Sequence, residues 1–191
     1  MRFTIIAAAS AIPALAAPAL AGGSYNAAQG QGVSLVSGSA NGAALSTLTD
    51  GNFLPAGTQW QTGTVWWTGT GSMFEIGLGD AVTVSGAIVQ ADNNDTYRMW
   101  YRDIGTGLFQ ELWTIGAVGG AGMRTRPNAS NNGEIFFFPA SVTTDAIRIA
   151  AIGGDGAYSL SEVQVWATIP GPGAIPLLGL APLARSRRRR A

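Results

Sequence analysis

Ala146-Ile147-Arg148-Ile149, then Gly153-Gly154-Asp155-Gly156-Ala157-Tyr158-Ser159-Leu160-Ser161-Glu162-Val163-Gln164-Val165, reads as two strands around a glycine turn. Ile147 and Ile149 flank Arg148, and Val163 and Val165 flank Gln164. Apolar residues at every second position suit a strand with one buried face, because successive side chains of a strand point to opposite sides. Glycines between the two runs mark where the chain turns.

The same alternation recurs upstream. Phe74, Ile76 and Leu78 fall on one face, with Glu75 and Gly77 on the other. Tyr97, Met99 and Tyr101 oppose Arg98, Trp100 and Arg102. Val82–Ala91 and Ile135–Phe138 are more continuously apolar, the pattern of central strands buried on both sides. Glycine and asparagine punctuate the body roughly every eight to twelve residues, and no stretch has a helical period. About eight such strands predict an all-β fold, a two-sheet antiparallel β-sandwich. No internal repeat is present. Residues 22–44, rich in Gly, Ser and Ala, read as an irregular lead-in and first strand, and the sandwich is expected over 45–168.

Both ends carry targeting features. Arg2 precedes an apolar run, Phe3 to Leu20, closed by the small residues Ala19-Leu20-Ala21. This is the layout of a secretory signal peptide over residues 1–21. The other end reads Pro170-Gly171-Pro172, then an apolar segment from Gly173 to Ala184, then Arg185-Ser186-Arg187-Arg188-Arg189-Arg190. Arginines beside an apolar segment stay on the cytoplasmic side, so the body is expected outside the cell. The apolar segment is twelve residues, about 18 Å as a helix against roughly 30 Å of hydrocarbon. It suits transient membrane contact better than a permanent anchor. Residues 169–191 resemble the PEP-CTERM sorting signal of Gram-negative bacteria: a Pro-x-Pro element (Pro170, Pro172), an apolar stretch and a basic end (Arg187, Arg188, Arg189, Arg190). That resemblance implies an exosortase-type processing partner and an exported protein of the cell surface or extracellular matrix.

The formal net charge of zero conceals a separation. All eleven acids lie within residues 22–168 against five arginines, a net charge of −6 for the body, and the chain has no lysine. An acidic domain without a basic stripe is no partner for nucleic acid. Cysteine and histidine are absent. That excludes disulfides, a cysteine nucleophile, a His-based triad and zinc sites of the usual type. Any metal would be a hard cation held by oxygens.

Three stretches carry a sharper resemblance. Leu48-Thr49-Asp50-Gly51-Asn52-Phe53 leads into Gly57-Thr58-Gln59-Trp60; Phe74-Glu75-Ile76-Gly77-Leu78-Gly79 follows; Ala146–Ile149 and Gly153–Val165 close the series. In order and spacing they resemble the discoidin-type, galactose-binding-like jelly roll, which includes coagulation-factor C domains and many carbohydrate-binding modules. The resemblance implies a structural Ca2+ held by Asp50, Asn52, Thr58 and Glu162, with backbone carbonyls of Leu48 and Asn52. Asp50-Gly51 reads equally as an ordinary turn, with the carboxylate bonding its own backbone.

Sugar binding calls for exposed aromatics and planar hydrogen-bonding groups. Trp66-Trp67 is a candidate platform, although tandem residues of a strand point to opposite faces, so one of them belongs to the core. Arg124 and Arg126 lie two apart after the Gly-rich segment Gly116–Gly122, and can fork onto acidic groups or pair with nearby acids. Asp92, Asn93 and Asn94 are candidate contacts to sugar hydroxyls, or simply a turn. Arg98 and Arg148 sit in strands and read as structural pairs. A glycosidase needs two carboxylates about 5–10 Å apart; Asp92/Asp95 and Asp155/Glu162 each have a simpler role, so no catalysis is expected. The expected function is a non-catalytic exported surface or matrix protein binding polysaccharide through loops at one end of a sandwich. The alternative is a structural exopolymer component without a discrete ligand site.

Overall fold

Phe74, Ile76 and Leu78 do turn inward, from a strand far longer than their own run. Met73–Asp92 forms a single 20-residue strand, β5, and Phe136–Gly153 forms an 18-residue partner, β9. The computed structural model describes residues 23–169; the expected signal peptide and the Pro-x-Pro, apolar and arginine elements of the expected C-terminal sorting signal lie outside the described residues.

The remaining strands are β1 Ser24–Asn26, β2 Val33–Ser37, β3 Asn41–Gly42, β4 Val65–Thr68, β6 Thr96–Arg102, β7 Phe109–Ile115, β8 Met123–Arg126 and β10 Ala157–Thr168. A single 3-10 turn spans Leu45–Thr49, and no α-helix occurs among the described residues. Every pairing is antiparallel.

β5 belongs to both layers of the sandwich. Its first half pairs with β2 and with the end of β9, which continues to β6 and β7. Its second half pairs with β10 and β8 and, over Val82–Ala87, with the first half of β9, which crosses between the layers with it; β10 carries β4 and β1. The register slips between Gly77 and Val82, where Gly79 takes φ +77°. Such an irregularity bends a strand and lets it pass from one layer to the other. The hydrogen-bonded ladder is therefore continuous, although the core has two faces.

Those faces meet in an aromatic cluster. Trp67 of β4 lies 4.9 Å from Phe74 of β5, 6.3 Å from Tyr97 of β6 and 6.0 Å from Tyr158 of β10. All four are buried. Full burial of an indole removes about 200 Å² from water, worth roughly 5 kcal/mol at about 25 cal/mol/Å² before ordering costs. A body without disulfides relies on this layer.

Two sequence expectations need correction. Where a lead-in and first strand are expected over 22–44, the chain forms three short strands, β1 to β3. β1 pairs with β10 (Tyr25 opposite Ala167) and β2 with β5 (Leu35 opposite Phe74), so the sandwich begins at Ser24. Small residues hide the signal here, because strands this short show too few alternations to be read. Ile135–Phe138 is not buried on both faces: Phe138 faces the core, whereas Phe137 is 68% exposed. Neighbouring Phe136 instead stacks on Trp113 of β7 at 4.4 Å and 5°. The expected arginine pairs are present: Arg148 with Glu75 at 2.8 Å and Arg98 with Glu111 at 3.3 Å.

Candidate functional site

Hairpin and loop tips converge at one end of the sandwich: Asp92–Asp95 between β5 and β6, Gly116–Gly122 between β7 and β8, Gly153–Gly156 between β9 and β10, and the segment before β4. They enclose an open cleft of about 470 Å³ whose walls include Gln59, Trp60, Asp92, Asn93, Asn94 and Asp155.

Arg126 holds this end together. It is 2% exposed, and its guanidinium donates to the carbonyls of Ala91 (2.9 Å), Arg124 (2.7 Å), Asn93 (3.2 Å), Gly116 (3.2 Å) and Asp92. Five donors in a rigid fork suit a cage of carbonyls, and no single ammonium could replace them. The expectation that Arg126 reaches a ligand is thus corrected: it supports the Asp92–Asn93 turn from beneath. Arg124 is partly exposed, and its guanidinium lies against Gly120, where a Cβ would meet Nε at 2.8 Å. Gly120 (φ +106°) therefore cannot take a side chain without moving that guanidinium. At Gly122 (φ +60°) the Thr58 carbonyl leaves no room for a side chain.

Trp67 is likewise corrected. It is fully buried, so it offers no surface to a ligand. Trp66 points the other way and is partly covered by Trp60, edge to face at 5.5 Å and 85°. The aromatic on the cleft is Trp60. Sequence reasoning used Thr58-Gln59-Trp60 only as a marker of fold. The clue to a second use was a tryptophan with glutamine beside it in a segment with no alternation to bury it.

The turn residues singled out beforehand do come together. Asp92 and Asn93 line the cleft beside Asn94, and Asp155 joins them from the β9–β10 hairpin. Asn93 Nδ2 donates to the Gly120 carbonyl at 2.9 Å, and Asn94 Nδ2 donates to Asp155 Oδ2 at 2.8 Å. Asp92 is 5% exposed and Asp95 is fully buried. Burial, then Asn93 and Asp155 acting in opposite senses, leaves the Asp92 carboxyl above its ordinary range. Burial, with the charges of Asp92 and Asp155, pushes Asp95 up to about 7. Asp95 does not line the cleft. Its Oδ2 accepts from the Tyr97 hydroxyl at 3.3 Å, and its Oδ1 faces the Asp155 N–H at 3.4 Å. The pair Asp92/Asp95 is therefore no catalytic pair facing a common ligand.

The residues implied for calcium meet only in part. Asp50 Oδ1 accepts the Asn52 N–H at 2.8 Å, which is the ordinary turn. Glu162 is fully buried beside it; Oε2 accepts the Gly51 N–H at 3.2 Å, while Oε1 has no hydrogen-bond partner although the Gln164 side chain is adjacent. Burial first, then the Asp50 charge among other influences, brings the Glu162 carboxyl to about 7. An orphaned carboxylate oxygen next to a second carboxylate fits a hard cation in charge and chemistry. Thr58 fits less well, since its hydroxyl donates to the Pro55 carbonyl at 2.7 Å and its own carbonyl accepts from Met123 at 2.8 Å. Leu48 is fully buried and Asn52 exposed. No cluster of three or more acidic, His or Cys side chains able to hold a metal occurs among the described residues.

No family model and no curated protein matches the chain. Solved structures do. The family 32 carbohydrate-binding module of Clostridium perfringens NanJ, in complex with galactose, aligns at TM-score 0.53 and 17% identity, over 75% of this chain and 98% of that one. The lectin domain of lectinolysin, complexed with Lewis B antigen, aligns at TM-score 0.51 and 15% identity, over 74% and 95%. The body is thus an all-β, discoidin-like jelly roll of the architecture found in family 32 carbohydrate-binding modules.

Proposed function

We propose that this protein is a non-catalytic carbohydrate-binding module, exported and held at the cell surface or in the extracellular matrix, that takes polysaccharide at the loop end of its sandwich. Trp60 carries the reading. A partly exposed indole, fixed edge to face by Trp66, borders an open cleft whose other walls are amides and carboxylates. Sugar rings present an apolar face of C–H groups to stack on an aromatic and a rim of hydroxyls for planar acceptors and donors. Gln59, Asn93 and Asn94 supply both, and Asp92 and Asp155 accept. Structural neighbours whose titles name galactose and Lewis B antigen support the reading by architecture; fold alone does not fix a ligand.

Two further parts belong to the proposal. Glu162 and Asp50 would hold a calcium ion that ties the first loop to the last strand. The N-terminal signal and the C-terminal Pro-x-Pro, apolar and arginine elements would direct export and exosortase processing.

The test is a glycan array and exopolysaccharide screen with the full chain, with tryptophan fluorescence as second readout. Saturable binding lost in Trp60→Ala supports the module. No binding to any glycan turns the function to a structural exopolymer component.

A further inference from the structure

Asp95 is fully buried, and it joins two walls of the cleft from behind. It closes the turn before β6. Its Oδ1 faces the Asp155 N–H of the β9–β10 turn at 3.4 Å, and a side chain at Gly154 (φ +145°) would overlap that same oxygen. A second tie runs beside it, from Asn94 Nδ2 to Asp155 Oδ2 at 2.8 Å. Asn94 and Asp155 both line the cleft, so a change at Asp95 reaches ligand-facing groups on two elements.

Counting protons shows which state of Asp95 suits this arrangement. The Tyr97 hydroxyl lies 3.3 Å from Asp95 Oδ2 and 3.0 Å from the Ser159 carbonyl, and it accepts the Ser159 N–H at 3.3 Å. A phenol has one proton to donate. It cannot serve a carboxylate and a carbonyl together, and an unserved buried acceptor is costly. With a proton on Oδ2, Asp95 donates to Tyr97, Tyr97 donates to Ser159, and every group is satisfied. No arginine pairs with Asp95 among the described residues. The groups that face it are Asp92 of β5, Asp155 of the β9–β10 turn, Tyr158 of β10 and Arg126 of β8. The Arg126 guanidinium is committed to main-chain carbonyls, and that of Arg124, the other cation at this end, packs on Gly57 and Gly120. Burial, then the charges of Asp92 and Asp155, pushes the Asp95 carboxyl up to about 7. Ionisation adds a third negative charge beside those two and removes the proton from the Asp95–Tyr97 contact.

Resting on the carbohydrate reading above, we propose that Asp95 is a proton-operated latch on the cleft. Protonated, it holds the Asp92–Asp95 and Gly153–Gly156 turns together, and the cleft takes sugar. Ionised, it repels Asp155, loosens the Asn94–Asp155 tie and weakens binding. The protein holds polysaccharide in mildly acidic surroundings and releases it as the medium turns alkaline.

The experiment is a calorimetric titration of the full chain with neutral oligomers of galactose, glucose and N-acetylglucosamine, in steps from about pH 5.5 to about pH 8.5 at fixed free calcium. Uncharged ligands keep the pH dependence on the protein. The inference expects affinity for the sugar that binds to fall about fivefold or more across this range, and by no more than about tenfold per pH unit, since one proton is coupled. Asp95→Asn, always neutral and able to donate to Tyr97, should keep the acid-side affinity throughout. The second readout, which needs no variant, is an NMR titration of the Asp95 carboxyl in the wild-type chain; its midpoint should rise when sugar saturates the cleft. Affinity indifferent to pH, a pH dependence retained in a folded Asp95→Asn chain, or an unmoved midpoint overturns the latch and leaves carbohydrate binding through Trp60 intact. No binding of any sugar at any pH overturns the carbohydrate reading itself.

Discussion

The backbone N–H of Gly51 donates to Oε2 of Glu162 at 3.2 Å, joining two positions 111 residues apart. The first long loop and the last strand are thus clipped together at a carboxylate whose second oxygen has no partner.

If a calcium ion completes that clip, it binds the folded chain alone and stabilises it by mass action, about 2.7 kcal/mol at a hundredfold excess over the dissociation constant. The melting temperature should rise with calcium and fall on chelation, and Glu162→Gln should remove the difference. A wild-type melting temperature indifferent to calcium would remove the metal from the proposal.

Trp60 and Trp67 should separate binding from stability. Trp60→Ala should abolish glycan binding with a small change in melting temperature. Trp67→Ala, which opens a void between Phe74, Tyr97 and Tyr158, should cost roughly 3–5 kcal/mol. Denaturant unfolding of both variants checks the split.

Arg126→Ala should cost roughly 3 kcal/mol or more, because carbonyls of Ala91, Asp92, Asn93, Gly116 and Arg124 lose a donor together. Arg126→Lys should recover little, since an ammonium cannot reach a cage built for a planar fork. A lysine variant as stable as wild type, measured by denaturant unfolding, would contradict this account of the turn.

Asp95 makes stability depend on pH in a definite direction. With its carboxyl raised to about 7, the folded chain keeps a proton that the unfolded chain has lost. Stability therefore falls as pH rises from the ordinary carboxylate range to about 7, and levels off above it. Glu162, also near 7, acts in the same sense. Asp95→Asn should flatten part of the slope. Its Oδ1 can still accept the Asp155 N–H, and its amide can donate to Tyr97, whose own hydroxyl reaches the Ser159 carbonyl at 3.0 Å. Melting temperatures across this range, with the metal chelated, decide it; an unchanged slope in the variant would contradict the assignment.

How legible all this was depended on burial pattern. Phe74, Ile76 and Leu78, or Tyr97 and Met99, alternate long enough for period two to show, and the strands they define are present. Nothing in the sequence shows that Val82–Ala91 continues the strand of Phe74, since the alternation ends at Leu78 and the chain bends before Val82. The site divided in the same way. Asp92 and Asn93 were identifiable as a polar turn after a buried strand. Arg126 was not distinguishable from Arg124, because which of two alternate arginines enters the protein is decided by the carbonyls around it, and four of those five come from two other segments, Ala91–Asn93 and Gly116. Trp60 was hidden by its place in a fold motif.

β10 starts beside the cleft, just after Asp155, and runs twelve residues to Thr168, where Ile169 N–H bonds the Gly23 carbonyl at 2.8 Å. At about 3.4 Å per residue that is roughly 35 Å of strand. Both chain ends of the sandwich therefore leave side by side from the pole opposite the loops. The cleft and the two ends thus occupy opposite poles of the described residues and share no surface.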